Sequence, residues 1–201
     1  MNSDCTLTFN VIQSASSSFD NNRGFENGME GVSFIGDGGR IQATGPLEPQ
    51  EGSWLAAIST GDSLISESGS AIGETTSTMI IGPINSSINS LSFYYNFISA
   101  EFNEWINSGF DDTALITITG PKGSHAEIIS SVVTVDVENT TFQGFAGLDN
   151  EPFNNGYTGQ TGWIKKDIVS DVGTPAYITF TVTDVKDEIV SSILAIDNIN
   201  Y

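Results

Sequence analysis

The sequence predicts an all-β chain folded as an antiparallel β-sandwich of jelly-roll type, and three observations carry that expectation. Short runs rich in β-branched and aromatic residues recur along the chain, separated by clusters of Gly, Pro, Asn and Ser at the intervals of a sandwich. No stretch keeps a helical apolar period for three turns. Charged residues make up only 15% of the 201, so Ser, Thr, Asn and Gly fill the surface, as in β-rich domains outside the cell. The hydrophobic share of 38% suffices for a core. Sandwiches often reach this length undivided, and neither a solenoid-length repeat nor a shift in composition divides the chain. Residues 1–201 are therefore read as one domain, with 1–23 as a peripheral N-terminal strand and loop.

Taken in order, residues 7–12 alternate apolar and polar side chains and predict a first strand. A Ser/Asn-rich loop follows over 14–22, then a turn-rich stretch at 24–31 that carries Glu26 and Glu30. The short apolar run 32–35 is read as extended, 36–39 as a Gly-rich turn, and 40–44 as a strand. After a Pro-bearing loop at 46–52, the run 53–59 is continuous enough for a buried strand. A short apolar strand at 78–82 is closed by Pro83 and Asn85. The aromatic run 93–97 and the alternating run 114–119 are strands, and 120–123 is a hairpin turn of Gly-Pro-Lys-Gly. Residues 126–137 are β-branched and predict one strand or two. The polar segment 139–162 is too long to be an idle connection. Strands at 163–169, 176–183 and 193–199 complete the chain, and 176–183 alternates most clearly.

Charge and cysteine content narrow the function. Twenty-five acids against six bases give −19, which opposes binding to nucleic acid or to an anionic membrane. Cys5 is the single cysteine and His125 the single histidine. An intrachain disulfide is therefore excluded, and a zinc site of His and Cys ligands is opposed. No apolar run approaches the ~20 residues of a membrane-spanning helix, and no basic-then-apolar leader is visible near Met1. A Ser–His or Cys–His nucleophile would rest wholly on His125, without the Gly-x-Ser-x-Gly elbow. Paired acids can run a glycosidase mechanism, but here the acids gather in oxygen-ligand patterns, so no enzymatic activity is expected.

The densest pattern is at 93–113. Asn96, Ser99, Glu101, Asn103, Glu104, Asn107, Asp111 and Asp112 fall there without one Lys or Arg, interleaved with Phe102, Trp105 and Phe110. Carboxylates held this close repel one another unless a cation lies among them, and Ca²⁺ takes six to eight oxygen ligands. A solvated acidic loop is the plain alternative, yet it has no need of the interleaved aromatics. Asp184 and Asp187 repeat the oxygen-ligand spacing. Trp54 is read as core. Trp105, Tyr157 and Trp163 are the candidates for an exposed ligand platform, because Gly and polar residues surround them.

Several fragments occur together in one order: Phe25-Glu-Asn-Gly28, Gly52-Ser-Trp54 through Gly61, Ser92-Phe-Tyr-Tyr-Asn96 through Phe102, Phe110-Asp-Asp112, Gly159-Gln-Thr-Gly-Trp163, Asp184-Val-Lys-Asp187 and Ala195-Ile-Asp-Asn-Ile199. Over roughly 24–200 the chain resembles the jelly-roll ligand-binding domains of calcium-dependent RTX-type bacterial adhesins, of the peptide-binding kind. Its ends also resemble jelly-roll carbohydrate-binding modules. The resemblance implies several Ca²⁺ ions, one shared by Glu26 and Asp197, with Glu51 and Glu30 as further ligands. Asn96, Glu101, Asp111, Asp112, Asp184 and Asp187 complete the expected metal ligands. It further implies an extracellular module on a bacterial surface, monomeric within a larger chain. The module would hold a peptide or protein terminus through an exposed Ca²⁺ during cell adhesion and biofilm formation. The alternative is a carbohydrate-binding module whose Ca²⁺ is structural. The longer 139–162 segment is where this chain departs from those relatives.

Overall fold

The chain is an antiparallel β-sandwich, seen in a computed structural model that describes residues 19, 22–44, 47–61, 76–101, 107–134, 159–185 and 191–201. Eleven strands are seen: β1 (Val32–Ile35), β2 (Asp37–Ile41), β3 (Leu55–Ser59), β4 (Thr76–Ile84), β5 (Ser90–Ser99), β6 (Thr113–Gly120), β7 (Gly123–Ser131), β8 (Gly159–Gln160), β9 (Ile164–Val169), β10 (Ala176–Thr183) and β11 (Ser192–Asn200). One sheet runs β1-β4-β10-β6-β7. The other runs β2-β3-β11-β5-β8, with β9 also paired to β5. Successive strands pass repeatedly from one sheet to the other, as a jelly roll requires.

Side-chain alternation builds the core. On β10, Ala176, Ile178, Phe180 and Val182 are buried while Tyr177, Thr179, Thr181 and Thr183 face outward. Phe93 of the opposite sheet meets Phe180 edge-on at 5.0 Å between ring centres, a favoured aromatic geometry. Tyr95 donates its hydroxyl proton across the sandwich to the Ile129 carbonyl at 2.9 Å. The outer face of the five-stranded sheet is lined with threonine: Thr76 and Thr78 on β4, Thr113, Thr117 and Thr119 on β6, and the three on β10.

The six-stranded sheet is apolar on both faces. Ala56, Ile58, Phe97, Leu194 and Ile196 point to the main core. Leu55, Ala57, Ile98, Ala100, Ile193 and Ala195 form a second cluster on the other side, with Leu47, Ile41 and Trp163 packed on it. This is why β3 reads as a continuous apolar run and is buried at all five positions.

Two elements differ from the sequence expectation. Residues 36–39 read as a turn, but Asp37 to Gly39 belong to β2. Gly38 is needed there for close packing, since a Cβ would press on Phe34 and Ile58. Strand β7 stops at Ser131 instead of running to 137. Thr134 Oγ1 accepts the Ser131 N–H at 3.0 Å and donates to its carbonyl at 2.7 Å, which closes a single 3-10 turn over Val132–Thr134. Trp54 is half-buried against the core, with Arg40 stacked 3.6 Å above its ring. His125 is half-buried, and its Nε2 lies 3.9 Å from Glu127. The strand expected at 7–12 lies outside the described residues.

Candidate functional site

The site is built where the last strand meets the first loop. Asn22 shapes that loop: its Oδ1 accepts the Asn27 N–H at 2.9 Å and its Nδ2 donates to the Gly28 carbonyl at 2.8 Å. Phe25 sits at φ 60 with its ring fully buried, 5.7 Å from Phe19. A phenylalanine rarely adopts that backbone conformation. Here the buried ring anchors the loop while the next residue, Glu26, is exposed to solvent.

Glu26 is held from below. Its Oε1 accepts the N–H groups of Ser53 at 2.9 Å and Trp54 at 2.8 Å, and its own carbonyl accepts from Arg40 at 2.8 Å. Gly52, at φ +71, lies so close that a Cβ would collide with the Glu26 carboxylate. Asp197 approaches from β11 and is fully buried. Its Oδ2 accepts the Glu51 N–H at 3.0 Å and its Oδ1 the Asn198 N–H at 2.7 Å. Gly24 lies between the two acids: a Cβ there would be 3.8 Å from Asp197 Oδ1 and 4.0 Å from Glu26 Cγ. The Ile199 N–H donates to the Arg23 carbonyl at 2.9 Å and ties β11 to the loop.

Burial pushes the Asp197 carboxyl up to about 6; the charge of Glu26 adds to that rise, while hydrogen bonds from the Glu51, Asn198 and Gln50 backbone oppose it. Next to this pair opens a pocket of 360 Å³ lined by Arg23, Glu26, Glu51 and the amides of Asn22, Asn27, Asn198 and Asn200. Glu51 stands on its wall, whereas Glu30 is exposed outside that lining. Arg23 stacks 4.4 Å above the Tyr201 ring.

A hard divalent cation fits these donors. Glu26, Glu51 and Asp197 offer oxygen ligands, whereas the Arg23 guanidinium on the same wall opposes a cation; an ion beside Asp197 would offset the cost of ionising a buried carboxylate next to another acid. Among the described residues no three His, Cys, Asp or Glu side chains converge on one point. A Ca²⁺ shell at Glu26 and Asp197 would therefore draw on Glu51, amide or main-chain oxygens.

A second acidic group lies at the other end of β11, near Ser192, five positions from Asp197 and so roughly 17 Å away along the strand. Glu101, Asp112 and Asp184 are all buried there, at 1%, 0% and 8% exposure. Glu101 Oε2 accepts the Asp112 N–H at 3.5 Å, and Asp112 Oδ1 accepts the Val185 N–H at 2.9 Å. The pairing of Thr113 with Thr183 brings the flanking residues 112 and 184 together.

The structure separates Asp111 and Asn96 from this group. Asp111 Oδ1 accepts the Val133 N–H at 3.2 Å, on the 3-10 turn. Asn96 lies on the opposite face of β5 from the core-facing Tyr95 and Phe97, where its amide donates to Gln160 at 2.7 Å and its oxygen accepts from Thr161 at 3.4 Å. Trp163 is half-buried on that same face and donates its indole proton to the Glu48 carbonyl at 2.9 Å. Asp187, Trp105 and Tyr157 lie outside the described residues, as does most of 139–162. Sequence reasoning missed Arg23, Asn198 and Asn200 on the pocket wall, and Gln160 and Thr161 beside Asn96. The Asp-Asn pair at 197–198 is the signal that pointed nearest to them.

No protein-family model matches the chain, and no curated protein sequence does. Among solved structures it is similar to the K1 cleaved adhesin domain of Lys-gingipain from Porphyromonas gingivalis W83, at 12% identity over 87% of this chain and 95% of that one, with a TM-score of 0.48. It is also similar to TmCBM61, solved in complex with β-1,4-galactotriose, at 13% identity over 92% and 97%, TM-score 0.44. A third is CBM28, a carbohydrate-binding module specific for non-crystalline cellulose, at 12% identity over 93% and 92%, TM-score 0.44. Likeness at this level concerns the fold alone.

Proposed function

We propose that this chain is a calcium-dependent ligand-binding module of an extracellular bacterial adhesin, of the RTX type that its sequence resembles, and that it performs no chemistry. The observation that carries the proposal is the meeting of Glu26 and Asp197 beside an open polar pocket, with Asp197 buried and its carboxyl raised to about 6. Calcium there neutralises the two acids and clips the N-terminal loop to the last strand, linking metal binding to folding. The pocket leaves one side of that ion accessible. A peptide's terminal carboxylate completes the shell, giving an anionic ligand a cationic anchor on a chain of net charge −19.

Paired binding measurements test this reading. A panel of peptides with free C-termini is compared with the same peptides amidated, with Ca²⁺ and with a chelator. Binding that needs both the free carboxylate and Ca²⁺ is expected; binding indifferent to amidation contradicts the carboxylate anchor. The second reading is a carbohydrate-binding module, favoured by half-buried Gln160, Thr161 and Trp163 on the outer face of the six-stranded sheet, above the buried Asn96. A hydrogen-bonding amide and hydroxyl beside an indole suit a sugar ring. Glycan-array binding that survives Glu26→Gln but not Trp163→Ala selects it.

A further inference from the structure

The outer face of the five-stranded sheet carries no charged side chain on its three central strands, in a chain with 25 acids. Outward and buried positions alternate along β4, β10 and β6, so the side chains on this face are fixed by register. One row crosses the whole sheet: Ile35, Thr78, Thr181, Leu115 and Ile128 are successive cross-strand partners. Its two ends are the apolar residues Ile35 and Ile128, exposed at 63% and 64%. Its centre, Thr181, lies on the middle strand of five.

We propose that this face is the contact of a symmetric dimer of two copies of the chain. A two-fold axis lying along β10 within the interface sets Thr181 on its own counterpart. The same rotation carries the β1 edge of one copy over the β7 edge of the other. Ile35 then meets Ile128 of the second copy, and Thr78 meets Leu115, with every contact made twice, as a two-fold interface requires. Both exposed isoleucines are covered by this one operation because they occupy the same row at opposite edges. The self-complementary row, with an exposed isoleucine at each end, points to a second copy as the occupant of this face. Two molecules of net charge −19 repel wherever their acids oppose, and this neutral face is where they meet without doing so.

The dimer is weak by its size. Five strands at ~4.8 Å spacing and seven residues at ~3.4 Å rise give a face of roughly 400 Å² in projection, below the ~800 Å² per partner of a standard interface. Added salt strengthens it, because salt screens the repulsion between two acidic bodies and leaves an uncharged contact untouched. The dimer differs from the module, monomeric within a larger chain, that the sequence resemblance implies.

Sedimentation equilibrium of the whole chain under reducing conditions, from about 10 μM to about 1 mM, is the test, since the proposed contact associates within that range. A monomer–dimer equilibrium whose constant rises with salt is expected. Thr181→Lys sets two like charges against each other on the axis and weakens the dimer by about tenfold or more. Ile35→Ser, on an exposed rim residue, weakens it several-fold with melting unchanged, and serves if Thr181→Lys disturbs folding. A monomer at every concentration overturns the proposal, as does a dimer unaffected by these substitutions.

Discussion

The two acidic groups along β11 use the same side chains to different ends. At one end, Asp197 is buried but Glu26 and Glu51 are exposed beside a 360 Å³ pocket. At the other, Glu101, Asp112 and Asp184 are all enclosed, and the oxygens of Glu101 and Asp112 receive main-chain N–H groups from neighbouring segments. Access, more than composition, separates an acid group that can present an ion to a ligand from one that holds strands together. A loop tip carried outward by Phe25 makes the first group open. The convergence of the ends of β5, β6 and β10 makes the second closed.

Four substitutions or titrations sharpen that contrast. Asp112→Ala should have the largest effect on stability, a loss of about 2–3 kcal/mol, because the half-buried Val185 N–H loses its acceptor and a cavity opens at the buried Asp112. Denaturant unfolding measures it, and ligand binding by the remaining folded protein should be unchanged. Next comes pH. The Asp197 carboxyl is raised from 3.8 to about 6, so the folded chain holds that proton more tightly than the unfolded one. In chelator, stability should therefore fall as pH rises from about 4 through about 6, by roughly 2–3 kcal/mol, and stay lower above. Ca²⁺ binds the ionised form and should flatten or reverse that fall. Asp197→Asn should abolish the step; melting curves across pH decide the point.

Gly52→Ala should cost about 1–2 kcal/mol, since it combines a positive φ with a collision against the Glu26 carboxylate. It should also weaken Ca²⁺ binding, measured by calorimetry. Glu26→Gln should have the smallest effect on the metal-free fold, within about 1 kcal/mol, because the amide oxygen still accepts from Ser53 and Trp54. Its effect on Ca²⁺ affinity should nonetheless exceed that of Asp112→Ala. The reverse order would erase the distinction between the open and closed groups.

Much of the fold was legible because it rests on period-two alternation. Strand β10 runs over the predicted 176–183, where every second residue is buried. Strand β2 was hidden, since Gly38 and Gly39 resemble a turn until the packing of Phe34 and Ile58 shows why no side chain fits. Asn96 parts from Glu101 because it sits on the outer face of β5, whereas Glu101 lies in the turn beyond Ser99. The pocket wall was not legible. Arg23, Asn198 and Asn200 meet Glu26 only because β11 returns to the first loop, a contact without local pattern. The exposed threonine face was present in the sequence as ordinary β propensity, and only the register of five strands placed Ile35 and Ile128 in one row.

The central claim is that Ca²⁺ binding at Glu26 and Asp197 is coupled to the fold, and thermal unfolding tests it most directly. With free Ca²⁺ at about a hundred times its Kd, linkage adds about 2.7 kcal/mol relative to chelator. For a chain of this length, that is a rise in Tm of about 5–10 °C. The account predicts that rise in the unaltered protein and a clearly smaller one in Glu26→Gln. Identical melting curves with Ca²⁺ and with chelator would contradict it.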